Sequence, residues 1–268
     1  MVNGVGNTYY YNGNVYERRS YDEAKAAVGL AMLTSVLLYK ALPSFSNPFL
    51  KQISKEHINN GLYKDAFVKA VKDSGLAEKG LKIIDLDFSA ADAFLPKEKI
   101  QNFDVKQGVN AFFSPKSKEI VLNLNKATIT GFHELGHAMN NMSGTFGKML
   151  QKLRGPGYWL AGLMGTVALF TRPKPKDAPR DAMDRIQDNC ALIATAGMLP
   201  TVAEEALASY KGVQAAKKAG LAENLVKNLK KFYGKALLSY VGYAAITGLS
   251  VYAMNKIMEI FTRPKKVA

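Results

Sequence analysis

His133-Glu134-Leu135-Gly136-His137 places two imidazoles four residues apart with a carboxylate beside the first. Residues at that spacing share one helical face, so His133 and His137 can reach one cation while Glu134 points to where a water on that cation would sit. Zinc brings the pKa of such a water towards neutrality, and a neighbouring carboxylate can accept its proton. The pattern therefore carries the chemistry of metal-assisted hydrolysis, with Glu134 as general base and one Zn2+ as cofactor. Two of the chain's three histidines fall in it. The third, His57, lies in a lysine-rich amphipathic stretch and reads as a solvated or locally bonded side chain.

A catalytic zinc usually takes three protein ligands. The single cysteine, Cys190, excludes both an internal disulfide and a multi-cysteine metal site. A third ligand is therefore sought downstream, in the stretch 200–209, Pro-Thr-Val-Ala-Glu-Glu-Ala-Leu-Ala-Ser. Thr201 can cap a new helix there, with Glu204 closing a capping box and so used locally. Glu205 is then left to face inward as the third ligand, and Ser209 on the same face can hydrogen-bond a ligand in support. Gly136 leaves room for a close neighbour. For stabilising an oxyanion, Arg180, Arg185 and Tyr210 stand as open alternatives.

The motif needs a helix, and 128–142 reads as one. Ahead of it, 81–88 alternates apolar and polar residues, and 109–113 and 119–124 make a strand pair around the turn Ser114-Pro115-Lys116-Ser117. A small sheet thus precedes the motif helix. Its edge at Asn110, Ala111 and Phe112 is the candidate binding strand for an extended substrate.

Farther out, residues 1–19 are rich in Asn, Gly and Tyr and read as a disordered leader. Ser20 and Glu23 form a capping-box pattern that opens an apolar helix over 20–43, uncharged from 26 to 39, with Lys25 and Lys40 able to snorkel from its ends. It reads as a membrane anchor, since the long polar leader argues against a signal peptide. Residues 47–60 and 61–74 read as amphipathic helices. The apolar segments 157–170 and 190–203 form either a short membrane hairpin or buried core helices, whereas 236–255 is long enough to span unaided, with Gly242 and Gly248 suited to close packing. Phe170-Thr171-Arg172-Pro173-Lys174 recurs as Phe261-Thr262-Arg263-Pro264-Lys265, each copy directly after an apolar segment. Proline ends a helix and the cations resist burial, so both copies read as helix exits into a polar, headgroup-like layer.

The 36 Lys+Arg against 22 Asp+Glu give a net charge of +14. That excess suits an anionic membrane or nucleic acid. The cations flank apolar runs, as at Arg18, Arg19 and Lys25, or at Lys227, Lys230, Lys231 and Lys235, and no nucleic-acid-binding motif is present. A lipid membrane is thus the expected partner and nucleic acid is not.

Asn110-Ala111-Phe112 before a strand containing Ile120 and Val121, then the His133–His137 motif, then apolar segments, then Glu-x-x-Ala at Glu205 and Ala208, resembles the membrane-embedded zinc metallopeptidases typified by the heat-shock membrane protease and the CAAX prenyl protease. The resemblance covers about 109–218. It implies zinc held by His133, His137 and Glu205, Glu134 as base, a peptide or protein substrate, and a multi-pass membrane protein with its active site on the cytoplasmic face. Where that family usually carries Asp four residues after the glutamate ligand, this chain has Ser209.

The expected fold is α+β and mostly helical: a zincin-like metallopeptidase domain with a small sheet beside the active-site helix, plus apolar membrane helices. The expected divisions are a leader at 1–19, an anchor at 20–43, a metallopeptidase domain at 44–235 that includes an apolar hairpin at 157–203, and a membrane helix with a basic tail at 236–268. Four crossings would then put both termini on the side opposite the zinc. The rival reading is a catalytically inactive membrane scaffold that retains the motif helix.

Overall fold

The computed structural model describes the chain apart from residues 1–7, 12, 58–60, 87–109, 127 and 268, and gives only the backbone at 9, 10 and 41–57. Among the described residues the order is β1 (Thr8–Tyr11), β2 (Asn14–Glu17), α1 (Tyr21–His57), α2 (Gly61–Asp73), β3 (Lys82–Asp85), β4 (Phe112–Ser114), β5 (Glu119–Leu122), α3 (Thr128–Met142), α4 (Thr145–Phe170), α5 (Ala182–Lys218), α6 (Glu223–Thr262) and β6 (Lys265–Val267). The chain is mostly helical, with two small sheets.

It divides into two compact units interleaved along the sequence. One gathers Met1–Ser44, Gly155–Leu199 and Gly242–Ala268; the other gathers Phe45–Arg154 and Pro200–Val241. Neither unit follows the expected bounds 44–235. Most of the hairpin segment 157–203 clusters with the first and last stretches of the chain and not with the motif helix.

In the unit Phe45–Arg154 and Pro200–Val241, alternating residues of β5 and one stripe each of α2, α3 and the following helices bury a common core. Tyr63, Phe67 and Phe132 are its largest fully buried side chains. Phe67 meets Phe132 edge to face with ring centroids 5.4 Å apart. The sheet runs β3-β5-β4, with β3 parallel to β5 and β4 antiparallel to it. The strands occupy the regions read from alternation, in shorter form, and the expected strand's last residues, 87 and 88, lie outside the described residues. This sheet packs beside α3, as a motif helix preceded by a small sheet requires.

In the other unit the described part of the leader is not disordered: β1 and β2 pair antiparallel, and β2 also pairs with β6, Val15 opposite Val267 and Glu17 opposite Lys265. Tyr9, Tyr10 and Tyr11 before a Gly13 with φ +73°, and Val15 and Tyr16 after it, supply strand propensity and a turn, outweighing the polar composition. The capping box forms as read: Glu23 N–H donates to Ser20 Oγ at 3.2 Å and Ser20 N–H to Glu23 Oε2 at 2.9 Å. The helix it opens does not stop at 43, however, and continues to His57 as one element. Within the same unit Gly157 and Gly197 touch backbone to backbone: a Cβ on Gly157 would lie 2.0 Å from the Gly197 carbonyl oxygen. A Cβ on Gly248 would meet Thr195 Oγ1 at 2.0 Å, a close contact of the kind expected there. The hydroxyls of Tyr39 and Thr247 add a 2.9 Å hydrogen bond between α1 and α6.

Among the described residues two helices, α5 and α6, are long and apolar enough to cross a membrane. Only 39% and 28% of their most apolar windows are buried within the protein.

Candidate metal centre

Helix α3 presents His133 and His137 one turn apart, and α5 brings Glu205 to them. The approach depends on glycine. A Cβ on Gly136 would lie 1.9 Å from the Ala208 carbonyl oxygen, and one on Gly212 would lie 2.3 Å from that of Phe132. Only hydrogen fits at these two positions, so the backbones of α3 and α5 touch and the short side chains on the facing stripes converge.

His133 Nε2 lies 3.0 Å from Glu205 Oε2 and 3.0 Å from His137 Nε2, while His137 Nε2 lies 3.3 Å from the same oxygen. A tetrahedral zinc with bonds of about 2.0–2.1 Å sets its ligand atoms about 3.3 Å apart, so the three atoms fit one ion. The group His133, His137 and Glu205 can hold a metal ion. Its donor set of two imidazoles and one carboxylate suits Zn2+ among the first-row metals.

The other ring nitrogens are held. Ser209 Oγ sits 3.1 Å from His133 Nδ1, the support expected of it. His137 Nδ1 donates to Glu204 Oε1 at 2.8 Å, which points Nε2 at the site. Glu204 is fully buried and also accepts from Asn140 Nδ2 (2.9 Å), Gln151 Nε2 (2.8 Å) and Arg154 Nη1 (2.9 Å). The capping assignment for Glu204 is thereby corrected. Thr201 does not open a helix, because α5 runs unbroken through Pro200, and the Thr201 hydroxyl is buried without a partner. The helix is capped instead at its true start, where Asp184 N–H donates to Asp181 Oδ1 at 3.0 Å and Asp181 N–H to Asp184 Oδ2 at 2.8 Å. Glu205 thus faces the imidazoles as expected, although the expected reason does not hold.

Arg154 bridges the two glutamates, its Nη2 3.1 Å from Glu205 Oε1. Tyr233 lays its ring 5.4 Å from that of His133 and donates its hydroxyl to the Ile129 carbonyl, fixing α3. The Glu134 carboxyl is buried, and burial raises its pKa against the opposing pull of His137 and His133. Its Oε2 accepts the Phe113 N–H at 2.8 Å. For His137 burial alone would lower the pKa, but hydrogen bonds to Glu204 and Glu205 outweigh it and push the value up to about 10 in the metal-free protein.

These groups open onto a cleft of about 550 Å³ lined by Phe112, Phe113, Glu134, His137, Glu205 and Tyr240, among others. Of the three residues expected to bind substrate, Phe112 lines it. Asn110 and Ala111 do not: Ala111 is buried in the core, and its N–H is taken by Asn110 Oδ1 at 2.9 Å. Nor do the alternatives named for an oxyanion. Arg180 and Arg185 belong to the other compact unit, and Tyr210 is exposed outside the lining. Gln151, Arg154 and Tyr240 were missed. The available signal was the polar face of 148–154, which precedes an apolar run without being part of it.

Comparison with protein-family models, with curated proteins and with solved structures finds no match to this chain.

Proposed function

We propose that this chain is a membrane-associated zinc metalloendopeptidase of the kind typified by the heat-shock membrane protease and the CAAX prenyl protease. What carries the reading is the convergence of His133, His137 and Glu205 to within one ion's reach, with the buried carboxyl of Glu134 lining the same cleft. Zinc held there supplies polarisation of a peptide carbonyl and an acidified water.

The chain's own groups do the rest. Glu134 Oε2 is anchored on the Phe113 N–H, so Oε1 takes the proton of the attacking water. Burial raises the affinity of this carboxylate for a proton, which suits it to take that proton and hold it until the more basic leaving amine nitrogen accepts it. Strand β4 is an edge of its sheet among the described residues. A peptide laid along it would find the Phe113 carbonyl as acceptor, with Phe112 and Tyr240 as walls. Arg154 and Tyr240 bring hydrogen-bond donors to the cleft.

The membrane half of the reading rests on apolar surface. In the unit Met1–Ser44, Gly155–Leu199 and Gly242–Ala268, Leu33 and Leu37 on α1, Trp159 and Leu163 on α4, Leu192 on α5 and Leu249 on α6 are all exposed. Exposed apolar patches of that extent on monomers mark binding or membrane surfaces, and helices of a soluble core would bury them. A multi-pass arrangement accounts for all four faces, and the resemblance puts the active site on the cytoplasmic side.

Glu134→Gln tests the chemistry. Stoichiometric zinc should remain while hydrolysis of an unfolded protein substrate in detergent falls at least 10²-fold, as expected for loss of a general base. Undiminished turnover at full zinc content would sink the assignment. His133→Ala should lose the zinc itself.

A further inference from the structure

The two Phe-Thr-Arg-Pro-Lys copies, which the proposed hydrolysis does not use, meet at one place. A pocket of about 450 Å³ is lined by Arg172, Pro173 and Lys174 of the first copy and by Thr262 and Pro264 of the second, all within the unit Met1–Ser44, Gly155–Leu199 and Gly242–Ala268. Arg18 and Arg19, at the entry to α1, complete it. Four cations line this pocket and no carboxylate does, among the described residues.

The surrounding structure holds the pocket open. Tyr16 and Asn14 of the β-hairpin reach Asp177, and the Thr171 carbonyl accepts Gln187 Nε2 at 3.0 Å. Carboxylates outside the lining neutralise part of the charge: Arg19 Nη1 lies 3.1 Å from Glu23 Oε1, and Lys174 Nζ lies 2.5 Å from Asp181 Oδ2 and 3.0 Å from Asp184 Oδ2. In the second copy Arg263 turns to Glu259 at 2.9 Å and contributes no charge to the lining. Two donors stay unmet. Arg172 is exposed and has no ion-pair partner among the described residues, and Arg19 Nε is buried without an acceptor. A buried donor without a partner calls for an acceptor, and guanidinium forks match the oxygens of a phosphate.

We infer that this pocket binds a phosphate-bearing anion, either the headgroup of an acidic phospholipid or a small phosphate ester. Its prolines and alanines form an apolar wall suited to the glycerol side of such a group, and its cations meet the phosphate. The inference does not depend on the peptidase reading, because its readout is binding and not hydrolysis.

The test uses the full chain in a neutral detergent, with two ligand arms. One titrates glycerol 3-phosphate by calorimetry; the other counts phosphatidylglycerol against phosphatidylcholine retained from mixed micelles by native mass spectrometry. Saturable one-site binding is expected in at least one arm. The ester arm would assign a soluble phosphate and the lipid arm alone a membrane headgroup. Arg172→Gln should lower the affinity about fivefold, the Arg19→Gln, Arg172→Gln pair should lower it more than 20-fold, and Arg172→Lys, which keeps the charge without the fork, should fall between the wild type and Arg172→Gln. Lys256→Gln removes an exposed cation of the same unit outside the pocket and should change nothing. Zinc content and circular dichroism of each variant report its folding. Absence of saturable binding in both arms, or an equal loss in Lys256→Gln, would overturn the inference.

Discussion

Helix α5 is met backbone to backbone in both compact units: Gly136 contacts it at Ala208 in one, and Gly157 contacts it at Gly197 in the other. Around the first contact lie two histidines, three buried glutamates, Asn140, Gln151 and Arg154, nearly every polar atom paired. Around the second lie Ala161, Ala194 and Met198, buried apolar side chains with nothing to ionise. The same device therefore does two jobs. Where the facing stripes are polar, removing a Cβ sets ligand atoms at metal distance; where they are apolar, it brings surfaces into van der Waals contact, as small residues do between membrane helices.

The largest expected effect comes from breaking one contact at a time. Gly136→Val forces α3 off α5 and should abolish zinc binding, read as metal content, and with it hydrolysis by more than 10²-fold, since a misplacement of about 1 Å already costs about that much. Gly157→Val should instead leave zinc stoichiometry intact and lower thermal stability in detergent. Loss of zinc from both would show that the two contacts are not separate in function.

A smaller change separates the two supports of the histidines. Glu204→Gln, which removes the charge behind His137, should weaken zinc affinity by 10- to 100-fold. Ser209→Ala, behind His133, removes a neutral partner and should cost less than tenfold. Competition with a chromophoric chelator gives both numbers, and the reverse order would mean that the buried glutamate serves folding and not the metal.

The smallest effect is one of pH. Because the His137 value in the metal-free protein rises to about 10 from an ordinary 6.5, its protonation stabilises that form fully below pH 6.5, and this stability is lost as pH climbs towards 10. Zinc needs the neutral ring, so its binding should release about one proton at pH 7.5 and tighten as pH rises. Calorimetry in buffers of different ionisation enthalpy measures that proton, and a value near zero would contradict the Glu204–His137 pairing.

How far the site was legible follows the length scale of its contacts. His133, Glu134 and His137 are set by helical spacing alone, and the Ser20–Glu23 cap is equally local. The shell around Glu204 joins residues 50 to 67 positions apart, and no periodicity encodes which stripes will meet. The error at Thr201 has the same origin. Pro200-Thr201 followed by Glu204 has the local form of a helix start, but Asp181 and Asp184 had already supplied one, and tertiary packing carried the helix through the proline. In the leader, tyrosines at every residue from Tyr9 to Tyr11 were weighed as polar composition, when they pair with the neighbouring β2, which is itself paired with β6 at the far end of the sequence.

Trp159, on α4, is 83% exposed, and it is the only tryptophan in the sequence. The protein's tryptophan emission therefore originates from one indole on one apolar face. It is an optical depth gauge that needs no label: its colour reports whether that face meets water or hydrocarbon, and brominated acyl chains at graded positions would locate it along the bilayer normal.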